Sequence, residues 1–413
     1  MTPAARIQAA IEILEGLGTS RLPADRFIRE FFRARRYAGS KDRAAISERV
    51  YDVFRHRGSY AWRMGGEAPR ALVIASLLNE GADVATLFTG GNYAPAALSD
   101  AERMSISAPP REPPAHTKGE YPQFLEGELQ RAFGEDVLPE MSAMLERAPV
   151  DLRVNTLKTN RDDLIAALKA DGFDASAARY SPLGVRLPAG TRGLEQSKAF
   201  LAGAFEFQDE AAQIAVLLCE ARPGMRVLDL AAGAGGKSLA LAATMRNEGE
   251  IVASDIDANR LRQIAPRAER AGVTIIATRE PRAGESFDRV LVDAPCSGSG
   301  TWRRQPENKW RLTPERLAEL NRVQDELLAR AAALVKPGGR IVYATCSFLP
   351  CENEDRVERF RASHPAFPIR DAGQVWRESP GGEPLPGKTA FFKATPRSTG
   401  TDGFFAAVMQ NAG

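Results

Sequence analysis

The chain has 413 residues, 44% hydrophobic and 26% charged, with a net charge of +2. That length exceeds one ordinary core and points to two or three domains, and the composition suits a globular protein rather than a disordered one. No apolar run reaches the length of a membrane span, and four cysteines without a Cys-x-x-Cys pair argue against a disulfide framework and against a zinc site.

The N-terminal run MTPAARIQAAIEILEGL carries acids and no cleavage-site pattern, so a cytoplasmic protein without a signal peptide is expected. Residues 1–100 read as helices. IQAAIEILEGL, DRFIREFFRARR, DRAAISERVYDVFR and PRALVIASLLNEG each repeat apolar residues at helical spacing. Residues 31–57 hold eight Lys or Arg (Arg33, Arg35, Arg36, Lys41, Arg43, Arg49, Arg55, Arg57) against three acids, a local charge of +5. A basic cluster beside aromatic residues suits a phosphate backbone, and an arginine-rich solvated helix surface would look the same. Both readings stand at this point. SAPPREPPAHTKGEYP (107–122) is proline-rich and aperiodic, the mark of a linker.

A short α/β unit follows. FLEGELQRAFGE reads as a helix, VDLRVNT (150–156) as a strand, DDLIAALKADG (162–172) as a helix and GVRLP (184–188) as a strand. From about residue 200, strands and helices alternate: MRVLDL, GEIVASDID, DRVLVDAP and GGRIVYATC are strands, and PERLAELNRVQDELLARAAALV is a long helix. Alternation of this kind predicts a doubly wound parallel sheet, with ligands beyond the carboxyl ends of its strands. Asp255, Asp293, Cys296 and Cys346 then share one rim. The expected division is 1–120, 121–199 and 200–413.

Three motifs lie on that rim. VLDLAAGAGGKS (227–238) is a glycine loop opening a helix, where backbone can approach a ligand closely. A phosphate loop of nucleotide hydrolases needs glycine at 231, where this chain has Ala231. The spacing also misses Gly-x-Gly-x-x-Gly. Asp255, about 20 residues on, can accept hydrogen bonds from ribose hydroxyls, so S-adenosylmethionine is favoured over a dinucleotide. The other motifs are Asp293-Ala-Pro-Cys296-Ser-Gly and Ala-Thr-Cys346-Ser. Carbon 5 of a pyrimidine is a poor nucleophile. Thiolate addition to carbon 6 makes it enamine-like, and cysteine suits that addition. A buried Asp293 with a raised pKa could hold or protonate the base. Methylation of an exocyclic amine would need no cysteine. Cys219 reads as a buried apolar residue and Cys351 as incidental. His56, His116 and His364 lie outside every motif, which disfavours a serine or cysteine hydrolase.

LDLAAGAGGK, DAPCSGSGTWRRQPENKW and YATCSFLPCENE resemble the RsmB/Sun RNA 5-methylcytosine methyltransferases of the NOP2/Sun family, nearest to those acting on bacterial 16S rRNA. GSKDRAAISERVYDVFR resembles that branch's NusB-like helical domain, LRVNTLK its small RRM-like subdomain, FQDEAAQ the entry to its catalytic domain and TDGFFAAVMQ its last strand. The resemblance implies an α/β fold. A Rossmann-like class I methyltransferase domain would follow an all-α NusB-like domain and an RRM-like α/β subdomain. It implies Cys346 as the nucleophile on carbon 6 of cytosine, Cys296 as the residue that assists release, and Asp293 as a contact to the base. Asp229, Ala231, Ala232, Gly233, Ala234, Gly235, Gly236, Lys237, Asp255, Arg260, Glu280 and Asp293 would line the S-adenosylmethionine site. Arg33, Arg36, Lys41, Arg43, Arg153, Arg303, Arg304 and Lys309 would face small-subunit ribosomal RNA. A monomer without metal is expected.

The chain departs from the family at three places. Gly233-Ala234 replaces Ala-Pro before the Gly-Gly-Lys of the loop. No aspartate follows the third strand in TIIATREPRAGESFD, where Glu280 is the candidate substitute. No histidine precedes Thr-Asp-Gly-Phe-Phe. The alternative from another class is an RNA-binding ribosome-assembly factor that keeps the fold without the chemistry.

Overall fold

The computed structural model describes every residue except 110, 380–382 and 386–389. Contacts divide the chain into two compact units, Met1–Leu145 with Trp302–Leu312, and Glu146–Thr301 with Thr313–Gly413. No helix among the described residues is long and apolar enough to cross a membrane.

The first unit is helical: α1 (Pro3–Thr19), α2 (Ala24–Ala34), α3 (Ser40–Arg55), α4 (Arg57–Met64) and α5 (Pro69–Asn79), followed by shorter turns of helix. α2 shows why these segments pack. Its apolar residues Ile28, Phe31 and Phe32 fall on one stripe and are buried, whereas Arg26, Arg29 and Arg33 lie outside. The stripe joins Ile13, Leu14, Ile46, Val50 and Val73 in one core. The proline-rich run lies inside this unit and contributes a one-turn helix, Ala115–Lys118. Residues 302–312 also belong here. Ala24 N donates to Glu307 Oε1 (3.1 Å) at the start of α2, and Trp310 Nε1 donates to the Phe54 carbonyl (2.7 Å).

The second unit begins with a four-stranded antiparallel sheet: β1 (Val150–Val154), β2 (Ser176–Ala177), β3 (Gly184–Leu187) and β4 (Phe205–Phe207), in the order β2-β3-β1-β4. The helix Arg161–Ala170 buries Leu164 and Leu168 in the core of this sheet.

The large sheet contains β5 (Arg226–Asp229), β6 (Glu250–Ala253), β7 (Ile276–Thr278), β8 (Phe287–Asp293), β9 (Val335–Thr345), β10 (Ile369–Arg370), β11 (Phe392–Ala394) and β12 (Phe404–Gln410). Its order is β10-β12-β9-β8-β5-β6-β7, with β11 also paired to β12. β5 to β9 are parallel, and β12 runs antiparallel to β9. The parallel strands are buried on both faces, hence runs such as Val290-Leu291-Val292 without polar alternation. The chain runs outward from β5 to β7, then returns to β8 on the other side of β5. That reversal opens a crevice beyond the ends of β5 and β8. After β6 the chain forms two short helices, Ala258–Leu261 and Ile264–Ala271. Pro266 lies in the first turn of the second, where a missing N–H does no harm.

Candidate active site

The glycine loop leaves β5 at Asp229 and enters the helix Gly236–Thr244 through Gly235, whose φ of +79° is left-handed. A Cβ at Gly235 would lie 2.7 Å from Ile264 Cγ1, so both the backbone angle and the packing demand glycine there. The loop is tied to the end of β6. Gly233 N donates to Asp255 Oδ2 (2.8 Å), and Asp255 Oδ1 accepts from Asp257 N (2.8 Å). Ala232 N donates to the Ser254 carbonyl (3.0 Å), and the Ala234 carbonyl accepts from Arg267 (2.6 Å). Ala231 is half-buried within the same loop. The exposed Arg260 has its guanidinium against Gly233, where a Cβ would collide with it.

Asp229 is fully buried. Its Oδ2 accepts from Ser238 Oγ (2.6 Å), while its Oδ1 has no hydrogen-bond partner among the described residues. Burial pushes its carboxyl up to about 7, opposed by the Ser238 hydroxyl. Ser238 was not foreseen from sequence. Glu280 follows β7 and accepts from Ser254 Oγ (2.7 Å), and it is ion-paired with Arg330. It therefore stands beside the end of β6, largely committed to neighbours.

Lys237 Nζ donates to Asp293 Oδ2 (2.6 Å) across the crevice between β5 and β8. Burial alone would lower the Lys237 ammonium, but the Asp293 carboxylate, with Cys346 and Asp229 beyond, raises it. Lys237 therefore stays charged and holds Asp293 as its counter-ion.

The two motif cysteines converge. Cys296 Sγ and Cys346 Sγ lie 3.5 Å apart, and neither forms a disulfide. The Cys296 thiol is pushed well up by its hydrogen bond to Cys346 and by burial. Cys219 lies elsewhere, buried, with its thiol pushed up to about 12 by the apolar surroundings.

Two adjacent residues grip the two cysteine loops. The fully buried Glu352 accepts from Ser297 N (2.8 Å), Ser297 Oγ (2.5 Å) and Gln324 Nε2 (3.1 Å). Gln324 Nε2 also donates to the Pro295 carbonyl (3.0 Å). Asn353 holds the other loop: its Nδ2 donates to the Ser347 carbonyl (2.9 Å), and its Oδ1 accepts from Thr345 Oγ1 (2.5 Å). Behind them Gly300 N donates to the Cys346 carbonyl (3.0 Å), and Gly403 N donates to the Gly300 carbonyl (2.8 Å). Sequence reasoning missed this frame, although CENE (351–354) and TDGFF (401–405) lay within the segments that carried the resemblance.

The residues expected to meet RNA are dispersed. Arg33, Arg36 and Lys41 are exposed on the first unit, as is Arg304. Arg43 is half-buried and donates to the Ala38 carbonyl (2.8 Å). Three expectations need correction, because Arg153, Arg303 and Lys309 are only 2%, 5% and 3% exposed. Arg153 donates to the Gly236 carbonyl (2.7 Å) and Gln208 Oε1 (2.6 Å), so it supports the glycine loop from β1. Lys309 lies between the rings of Trp310 (5.1 Å) and Trp302 (6.0 Å), and burial lowers its ammonium to about 8. A buried cation cannot meet a phosphate at the surface without unpacking its surroundings.

Residues 216–410 match the sequence model of the 16S rRNA methyltransferases RsmB/F, and residues 121–192 match the ferredoxin-like domain of RsmF/B-like methyltransferases. The probable ribosomal RNA small subunit methyltransferase B of Synechocystis is 33% identical over 71% of this chain and 67% of its own length. The protein of that name from Vibrio vulnificus is 33% identical over 71% and 68%. Among solved structures, PH0851 matches at a TM-score of 0.76 and 26% identity over 99% of each chain. NSun6 from Pyrococcus horikoshii, solved with SFG, matches at 0.62 and 21% identity over 71% of this chain and 98% of its own. With the Rossmann-like sheet, the glycine loop and the paired cysteines in place, the chain belongs to the RsmB/F family of 16S rRNA methyltransferases.

Proposed function

We propose that the chain transfers a methyl group from S-adenosylmethionine to carbon 5 of a cytosine in small-subunit ribosomal RNA, through a covalent bond between Cys346 and carbon 6. The observation that carries the reading is the 3.5 Å approach of Cys296 and Cys346 beside the Lys237–Asp293 pair.

The residues around the glycine loop fit the cofactor. Asp229 Oδ1 is a buried acceptor without a partner among the described residues, and Asp255 ties the loop to the end of β6 through Gly233 N. Asp255 would take ribose hydroxyls, and Arg260 and Glu280 would flank that edge. When bound, S-adenosylmethionine supplies an electrophilic methyl group on a sulfonium.

The chain's own residues do the rest. The neighbouring Cys346 sulfur and burial raise the Cys296 thiol, so Cys296 keeps its proton and its S–H can donate to the Cys346 sulfur 3.5 Å away. The Lys237 ammonium would favour electrostatically the negative charge that the attacking Cys346 sulfur needs. Attack forms an S–C6 bond, and the C5–C6 π pair moves to carbon 5, which becomes nucleophilic. Asp293 holds the base edge through this change. After carbon 5 is methylated and loses its proton to a base not yet assigned, the S–C6 bond breaks and its electron pair returns to Cys346. Cys296 lies close enough to give that leaving thiolate a hydrogen bond. The three parts 1–120, 121–199 and 200–413 would act as NusB-like RNA anchor, RRM-like subdomain and catalytic domain of a cytoplasmic monomer.

The test is a denaturing gel after incubation with S-adenosylmethionine and small-subunit RNA. Cys296→Ala should accumulate an RNA-linked protein, and Cys296→Ala/Cys346→Ala should not. An adduct that persists in the double variant, or methyl transfer that survives Cys346→Ala, would overturn the covalent reading.

A further inference from the structure

The first unit carries a cavity of about 410 Å³ that the proposed reaction does not use. It opens between the start of α1 and two turns, and its lining includes Gln8, Glu12, Arg35, Tyr37, Asn92 and Tyr93. Tyr37 is 72% exposed and Tyr93 is 84% exposed. Two aromatic rings this bare at one cavity leave apolar faces in water that a flat partner could cover. Tyr93 also holds a φ of +63°, an uncommon angle for a bulky residue. Strain of this kind gathers at ligand-binding positions.

The floor and the surroundings say what would fit. Arg35 pairs with Glu12 (3.0 Å) while its guanidinium lies 3.7 Å from the Phe31 ring centre, so the charges of the lining cancel, and Met1, Ala5 and Ala9 make most of it apolar. Gln8 Nε2 donates to Glu12 Oε1 (3.3 Å), and Asn92 adds further amide groups that can pair with a base edge. The exposed cations Arg33, Arg36 and Lys41 belong to the same stretch of chain as Tyr37. A lipid headgroup would use the cations and leave the rings idle. An apolar knob of another protein would cover the rings and the apolar lining but leave the Gln8 and Asn92 amides and the cations unused. A flat heterocycle with polar edges, attached to phosphates, uses all three features.

We propose that this cavity takes an unpaired nucleobase of the RNA, stacked on Tyr37 and Tyr93, with the adjoining phosphates on Arg33, Arg36 and Lys41. The proposal rests on RNA being the substrate. It gives the helical unit a preference for single-stranded segments that charge alone would not give.

The test uses the full chain, a labelled single-stranded RNA of about a dozen nucleotides and a hairpin duplex of matched length, read by fluorescence anisotropy at one fixed salt concentration. Tyr37→Ala/Tyr93→Ala should weaken single-strand binding by about 10- to 100-fold, with duplex binding unchanged within about twofold. Tyr37→Phe/Tyr93→Phe should bind as wild type, since stacking needs the ring and not the hydroxyl. Thermal melting should not shift, because both side chains lie outside the core. Unchanged single-strand affinity in the alanine variant would overturn the proposal. So would an equal loss for both RNAs, or lost binding of a protein partner at unchanged RNA affinity. If the alanine variant loses single-strand affinity but wild type methylates no RNA, the cavity assignment stands and the catalytic reading falls.

Discussion

Removing Glu352 tests whether the frame behind the cysteines sets their geometry. In Glu352→Ala the half-buried Ser297 amide loses its one acceptor among the described residues, which costs about 1–3 kcal/mol. The Ser297 hydroxyl can turn to Ser347 Oγ, 3.4 Å away, so its loss adds about 1 kcal/mol. The variant should therefore be destabilised by about 2–4 kcal/mol in urea titration. Glu352→Gln keeps an acceptor for Ser297 N and a donor for Ser297 Oγ, and should cost about 1 kcal/mol or less. The catalytic effect should exceed the stability effect. Freed of Glu352, the Pro295–Ser297 segment moves Cys296 away from Cys346, and a displacement of about 1 Å is worth about 100-fold in rate. Under single-turnover conditions at a temperature where both variants are folded, Glu352→Ala should accumulate RNA-linked protein, as expected for Cys296→Ala, and Glu352→Gln should not. The pH dependence adds a check. Burial raises the Glu352 carboxyl above 4.5 despite its hydrogen-bond donors. An acid raised in the folded state stabilises most when protonated, so its contribution is present below about 4.5 and lost as pH rises through the folded value. Wild type should lose stability across that window relative to Glu352→Gln. Normal turnover in Glu352→Ala without adduct, alongside the expected loss of stability, would refute the link between frame and cysteines.

Asp229 should show the same sign more strongly. Its shift from 3.8 to about 7 corresponds to about 4 kcal/mol, present below pH 4 and lost by pH 7. Melting of wild type against Asp229→Asn from pH 4 to 8 should show the two curves diverging in that direction. Asp255→Ala removes the acceptor of both Gly233 N and Asp257 N and should weaken S-adenosylmethionine binding by about 10- to 100-fold, measured by calorimetry. Gly300→Ala should destabilise the second unit by more than about 2 kcal/mol in denaturant, because its Cβ would overlap the Gly403 carbonyl.

Much of the site was legible because its signals are local. Glycine spacing, the acid about one strand–helix unit later, and two cysteines at strand ends are patterns within short windows. The rim follows from them once the sheet is known to be parallel. The helices of the first unit were equally plain from their apolar period. What failed was the reading of cations. Arg153, Arg303 and Lys309 look in sequence like Arg33 or Arg304, because a charged side chain in a polar-looking stretch carries no local mark of its burial. Arg153 is held by Gln208 and the Gly236 carbonyl, which lie 55 and 83 residues along the chain.

Sequence by itself therefore determined the fold class, the family and the identity of the two cysteines, since each rests on residue type and spacing over a few positions. Tertiary structure decided the rest. It brought Cys296 and Cys346, 50 residues apart, to 3.5 Å, and it set Lys237 against Asp293 across the crevice. It also turned Arg153 from an RNA contact into a support for the glycine loop. Glu352, Asn353 and Gln324 became the frame of the site for the same reason: a buried hydrogen bond depends on which groups long-range packing has removed from water.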